Sequence, residues 1–159
     1  MKGEEIPPTD HVALHCQRSD LEIGEDGNPS GVKIDAFRVD SDGISVNWLE
    51  FERGPFDDCL ESVCRLFASL RDVRPAHRCG IMKVGEINQT AADCGREVQV
   101  VHDPVEEPQP NPAHSLIKGC VPDDVCLQRF TLLVELHPFS EAALSISKER
   151  KKQKRGTAR

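Results

Sequence analysis

The sequence predicts an α+β fold: a mostly antiparallel sheet of about five or six strands, two main helices packed on one face of it, and a C-terminal helix that runs into a basic tail. Three observations lead there. Short segments with period-two hydrophobic alternation recur, most clearly at 11–16, 44–51 and 97–102. A stretch opened by Gly54-Pro55 carries apolar residues at helical spacing. Strand-like and helix-like segments do not alternate strictly along the chain, which argues against a doubly wound parallel sheet.

In order, residues 1–10 read as an irregular lead-in. In 11–16, Val12, Leu14 and Cys16 alternate with His11, Ala13 and His15, the pattern of a half-buried strand. Residues 17–31 are glycine-rich and acidic and read as a loop with a tight turn near Asp26-Gly27. Segments 32–39 and 44–51, separated by an Asp/Ser/Gly turn, are expected to form a β-hairpin. Pro55 suits the first turn of a helix, and Asp57 and Asp58 complement its positive end. Leu60, Val63, Cys64, Phe67 and Leu70 supply one apolar stripe, and Pro75 requires the helix to stop near Asp72. Residues 80–87 and 97–102 read as two more strands, and 103–113, with four prolines, as a surface loop. A short strand follows at 114–119. A second helix is expected to open at Pro122-Asp123-Asp124, bury Cys126, Phe130, Leu133 and His137 along one stripe, and end at Pro138. Ser140 caps the last helix.

Leu, Ile, Val and Phe together make up about 25% of the chain, enough for a core by the usual compositional threshold. With six Phe, one Trp and no Tyr that core must be mostly aliphatic. No apolar run approaches the ~20 residues needed to cross a bilayer. The acidic, proline-rich first residues offer no secretory apolar stretch, so a cytoplasmic location is expected. Seven cysteines, an odd number with no C-x-x-C pair, then read as free thiols that pack as small hydrophobes.

Charge divides the chain. Of its 20 Lys/Arg and 27 Asp/Glu, seven and one lie in the last twelve residues, leaving 13 and 26 in the rest. Residues 1–147 therefore form a domain with net charge −13, and 148–159 a tail of +6. The body should repel a nucleic-acid backbone except where a local patch reverses its sign. The tail can hold phosphate electrostatically but has no aromatic side chain to stack on bases. A solvated extension that keeps the chain soluble is the plainer reading, and a third is that the tail lies on the acidic body or on an acidic partner.

Among groups that carry chemistry, the histidines lead. His11 and His15 share one side of the predicted strand, opposite Val12, Leu14 and Cys16. Their spacing can serve zinc, but Val12 stands where a metalloprotease needs its glutamate, and a third ligand such as Cys79, His102 or His114 would have to come from afar. Two histidines facing solvent are the plainer reading. His102 and His114 bracket the proline-rich loop. If that loop returns to the sheet they can meet as acid and base; otherwise His102 simply donates a hydrogen bond into it. Trp48 belongs to the core. Glu50 shares its parity, so it sits either at an exposed strand end or beside a base such as Arg38 or Arg53. Cys79, after His77-Arg78, is the best candidate for an activated thiol. No nucleophile elbow, phosphate loop or dinucleotide fingerprint is present, so no cofactor is expected.

The leading expectation is a small binding or regulatory module with an acidic body and a basic tail. Its expected partner is a protein, with nucleic acid as a second possibility through Lys151, Lys152, Lys154 and Arg155, and no membrane. The alternative is a small histidine-dependent enzyme acting on a nucleotide or nucleic-acid phosphodiester, with His11, His15, His102 and His114 moving protons and Arg18 clamping the anion.

Overall fold

The structure, a computed structural model, describes residues 2–120 and 125–157. Its strands are β1 (His11–Cys16), β2 (Leu21–Ile23), β3 (Pro29–Val32), β4 (Ile44–Trp48), β5 (Arg78–Lys83), β6 (Gln99–His102), β7 (His114–Lys118) and β8 (Glu135–Pro138). Its α-helices are α1 (Phe56–Leu70), α2 (Val84–Asp93), α3 (Val125–Phe130) and α4 (Glu141–Thr157). Among the described residues, six strands form one antiparallel sheet in the order β6-β7-β4-β1-β5-β8, and β2 and β3 form a separate hairpin. The expected α+β class and antiparallel sheet are both present.

Both faces of the sheet are covered, where helices on one face alone are predicted. Strand alternation sends Val12, Leu14 and Cys16 one way and Ala13 the other, and each set enters a different core. The first core joins Val46, Trp48, Met82 and Ile117 to Val84 and Ile87 of α2 and Leu127 and Phe130 of α3. The second joins Ala13, Cys79 and Ile81 to Cys59, Val63, Cys64 and Phe67 of α1 and Ala143 of α4. Helix α1 lies where its stripe and Pro55 place it, rotated so that Cys59 and Ala68 are buried and Leu60 and Leu70 flank the seam.

Four expected elements differ. Residues 17–31, expected as a loop, hold the 3-10 turn Arg18–Asp20, β2 and most of β3, and only the tight turn between the two strands is as expected. Residues 32–39 do not pair with 44–51 as a hairpin: β3 pairs back onto β2, Ile34–Ala36 form a 3-10 turn, and only the Val39–Ile44 bridge links the two segments. Two of the buried residues there, Ala36 and Phe37, are adjacent, which alternation cannot satisfy. Residues 80–87 are not a strand throughout, because β5 ends at Lys83 and α2 begins at Val84, burying Val84, Ile87 and Ala91 at helical spacing. The long helix over 122–137 is instead the short α3, a 3-10 turn at Thr131–Leu133 and strand β8, which pairs with the edge of β5. The predicted start of that helix, Pro122-Asp123-Asp124, lies outside the described residues.

The proline-rich loop returns to the sheet through a buried amide pair. Asn47 and Asn111 each donate from Nδ2 to the other's Oδ1, both at 3.1 Å. Replacing Asn47 with Ala strands the Asn111 amide in a dry site and should cost about 1–3 kcal/mol in urea unfolding. The double Asn47→Ala/Asn111→Ala variant should lose clearly less than the sum of the two single changes; strict additivity would show that the pair is not coupled.

Candidate functional site

The sheet fixes where each histidine points. His11 and His15 lie on the α1/α4 face, as does His114, whose β7 register places it opposite Asn47. His102 pairs with Ser115, so it occupies the other face from His114. The loop does bring both rings near its two ends, but the thickness of the sheet separates them as an acid–base pair.

Each ring is engaged inside the fold. His11 Nδ1 lies 2.8 Å from Glu50 Oε2, while its backbone N–H donates to Oε1 at 2.8 Å. Glu50 therefore partners His11, not Arg38 or Arg53. His102 Nε2 donates to the Pro112 carbonyl at 2.6 Å, and its ring lies against Trp48 and Phe51. His114 Nδ1 donates to the Asp103 carbonyl at 2.8 Å. Arg18 is exposed on the 3-10 turn Arg18–Asp20 and does not line the cavity beside His15. The five candidate residues thus do not surround one pocket.

His15 is the most perturbed of them. It is buried between Phe67, stacked at 6.1 Å between centroids, and Phe139, edge-on at 5.6 Å. Its Nε2 is 2.9 Å from His77 Nδ1, which also accepts the Arg74 N–H at 3.3 Å. An acceptor at His77 Nδ1 requires the proton on His15 Nε2, so when His15 is neutral its Nδ1 carries the lone pair. Burial, then the nearby Arg71, His77 and Arg38 charges, pull the His15 pKa down to about 3, against a smaller opposing effect of Asp72. His77 is lowered as well, chiefly by burial. A group neutral across the physiological range is a poor general acid.

The thiol candidate fails on the same physics. Cys79 is fully buried, and its hydrogen bond with Cys64 together with burial pushes the thiol well above its ordinary value. Arg78, its neighbour in β5, points to the opposite face and donates to the carbonyls of Pro75 and His77. Among the described residues, no three His, Cys, Asp or Glu side chains are grouped to hold a metal ion.

Two features escape the sequence reading. A cavity of about 470 Å³ between α1 and the 3-10 turn Leu49–Glu52 is lined by Trp48, Phe51, Arg53, Asp58 and Val63, and by none of the histidines. A second, of about 350 Å³, opens beside His15 and gathers Arg38 and Arg71. Arg38 is marked in the sequence only as a possible mate for Glu50. Arg71 lies just past the predicted helical stripe, with no motif around it. The chain matches no protein-family model, no curated protein and no solved structure.

Proposed function

We propose that the protein is a binding module whose cationic C-terminal helix end engages an acidic surface on a partner protein. The observation that carries this reading is the way α4 leaves the body. Its first half is anchored: the Ser140 hydroxyl accepts the Ala143 N–H at 3.1 Å and donates to Glu61 at 2.8 Å. Ala143 is buried in the second core. The Ser147 hydroxyl accepts the Val73 N–H at 3.1 Å and lies within hydrogen-bonding reach of the Ala68 and Arg71 carbonyls. Lys151 then binds Asp72 at 2.7 Å, and from residue 152 to 156 every side of the helix is exposed. A rod of cations, favoured at a helix C-terminus by the dipole, projects from a body of opposite sign.

That shape suits a compact acidic protein surface better than nucleic acid. The segment is lysine-rich and lacks aromatics for base stacking, and a long polyanion continuing past it would meet the acidic body. The dispersal of the histidines supports recognition over proton transfer. No helix of the described residues is long and apolar enough to cross a membrane.

Fluorescence anisotropy tests this with a labelled polyglutamate peptide and a labelled single-stranded oligonucleotide of equal charge. The full chain should bind polyglutamate at low salt and the oligonucleotide no more tightly. The Lys152→Gln/Lys154→Gln/Arg155→Gln variant should lose at least tenfold, while His11→Gln and His114→Gln should bind as the unsubstituted chain does. Tighter binding to the oligonucleotide, or an unaffected triple variant, would reject the proposal.

A further inference from the structure

The sheet is nearly two sheets. β1 and β4 pair only at Val12–Trp48 and Ala13–Asn47. Beyond them β1 stays on β5 through Cys16, while β4 stays on β7 back to Ile44, so the strands part. The 350 Å³ cavity lies in this parting. Ala13, His15 and Ser45 belong to one face of the sheet and Leu14, Ile44 and Val46 to the other, yet all six line it. Residues of opposite parity can share a cavity only where it enters between the strands.

The mouth of the split carries two guanidiniums. Arg38, from the connection after the Ile34–Ala36 turn, reaches the buried Asp20 at 3.2 Å and is thereby largely neutralised. Arg71, at the C-terminal end of α1, is not. It lies over the Phe67 ring at 5.1 Å, and among the described residues no carboxylate is within ion-pair distance of it. Packing around its stem, and after it the Arg38 charge, lower its pKa from the usual arginine value, although the residue stays exposed at the surface. The carboxylate at the rim, Asp40, is occupied by the Asp42 and Gly43 N–H groups at 2.9 and 3.1 Å. Arg71 is exposed to solvent, so an anion can reach it without displacing an internal partner.

We propose that the split between β1 and β4 is a binding site for a small phosphomonoester, its phosphate held between Arg71 and Arg38 and its organic part against Ala13, Val46 and Phe67. Arg71 supplies the uncompensated positive charge, and Arg38, which reaches Asp20 through Nη2, has further N–H groups that can donate to a tetrahedral oxyanion. The neutral His15 adds a lone pair without adding charge, so it can accept from a ligand hydroxyl or a singly protonated phosphate. The volume is at the lower end of the ~300–1,000 Å³ typical of small-molecule sites, which limits the ligand to a compact one.

Isothermal titration of the full chain with inorganic phosphate, phenyl phosphate and phenol tests the site. Phenyl phosphate should bind tightest, phosphate more weakly, and phenol at least tenfold more weakly than phenyl phosphate. Arg71→Gln should weaken phenyl phosphate at least tenfold with an unchanged circular dichroism spectrum, and Arg71→Lys should fall between the two. Arg38→Gln can unfold the chain by stranding Asp20, so the Arg71 pair decides. The Lys152→Gln/Lys154→Gln/Arg155→Gln variant should bind phenyl phosphate normally, which separates this site from the helix-end reading. Absence of saturable binding up to about 10 mM would overturn the site, as would full affinity in Arg71→Gln or loss of binding in the helix-end variant alone.

Discussion

Between pH 7 and pH 5 the folded chain should lose stability steadily, and replacing His15 by Leu should flatten that loss. In the folded chain His15 remains neutral down to about pH 3, whereas in the unfolded chain it takes up a proton near pH 6.5. Throughout that interval the unfolded state binds more protons, so acid favours unfolding and stability rises with pH. A full proton difference amounts to about 1.4 kcal/mol per pH unit, the slope His15 alone contributes well below its unfolded pKa. His77, lowered in the same direction, adds to it. The carboxylates held below their ordinary values, Glu61 and Asp72 among them, lose their contribution only as pH falls through the carboxylate range, so a window above pH 5 isolates the imidazoles. Urea unfolding at successive pH values should show His15→Leu with the shallower slope, His77 still accepting the Arg74 N–H. Equal slopes would mean that His15 titrates normally in the fold.

Phe67→Ala should be the most damaging single truncation on the α1 face, costing about 3–5 kcal/mol. Phe67 is 1% exposed, sits in the core between α1 and the sheet, stacks on His15 and supports the Arg71 guanidinium. Its removal leaves a void that merges with the cavity between β1 and β4. Water admitted there relieves the burial that depresses His15, so the His15 pKa should rise toward its ordinary value. Calorimetric melting and an NMR titration of the His15 ring check the two consequences separately. A loss under about 1 kcal/mol would show that neighbouring side chains collapse into the space.

What the sequence discloses depends on how far each signal is local. Helix α1 is legible because Pro55, the first-turn acids and the stripe through Val63, Cys64 and Phe67 agree with one another. Strands β1, β4 and β7 are legible for the same reason. The junction at Lys83–Val84 is hidden because the short segment with Ile81, Met82, Val84 and Ile87 fits a strand and the first turn of a helix equally well, and Gly85 weakens the helical signal. Residues 131–138 mislead because Leu133 and His137 continue the helical stripe of Cys126 and Phe130, and Leu132 and Leu136 widen it, although Leu132 proves to be 85% exposed and Leu136 pairs with Gly80 in the sheet. Tertiary pairing at the edge of β5 overrides the local pattern there.

The candidate site was legible only in its parts. His102 donates into the loop, as its position at a strand end suggests, and His15 lies on the side of β1 that alternation assigns. That His15 meets His77, that His102 and His114 fall on opposite faces, and that β1 and β4 diverge after two pairs are facts of long-range register. Arg71 gains its character from Phe67, four residues earlier, and from Arg38, which lies on a different element. The first has the i,i+4 spacing of helix neighbours, but the second leaves no mark in composition or spacing.

The most direct measurement of charge-driven recognition is the salt dependence of polyglutamate binding from about 20 mM to about 200 mM, across which the Debye length shrinks from roughly 20 Å to under 10 Å. The full chain should lose affinity steeply over that range, and the Lys152→Gln/Lys154→Gln/Arg155→Gln variant should show a much shallower dependence from a weaker start. An affinity independent of salt, or identical slopes for the two proteins, would contradict the assignment of binding to the exposed end of α4.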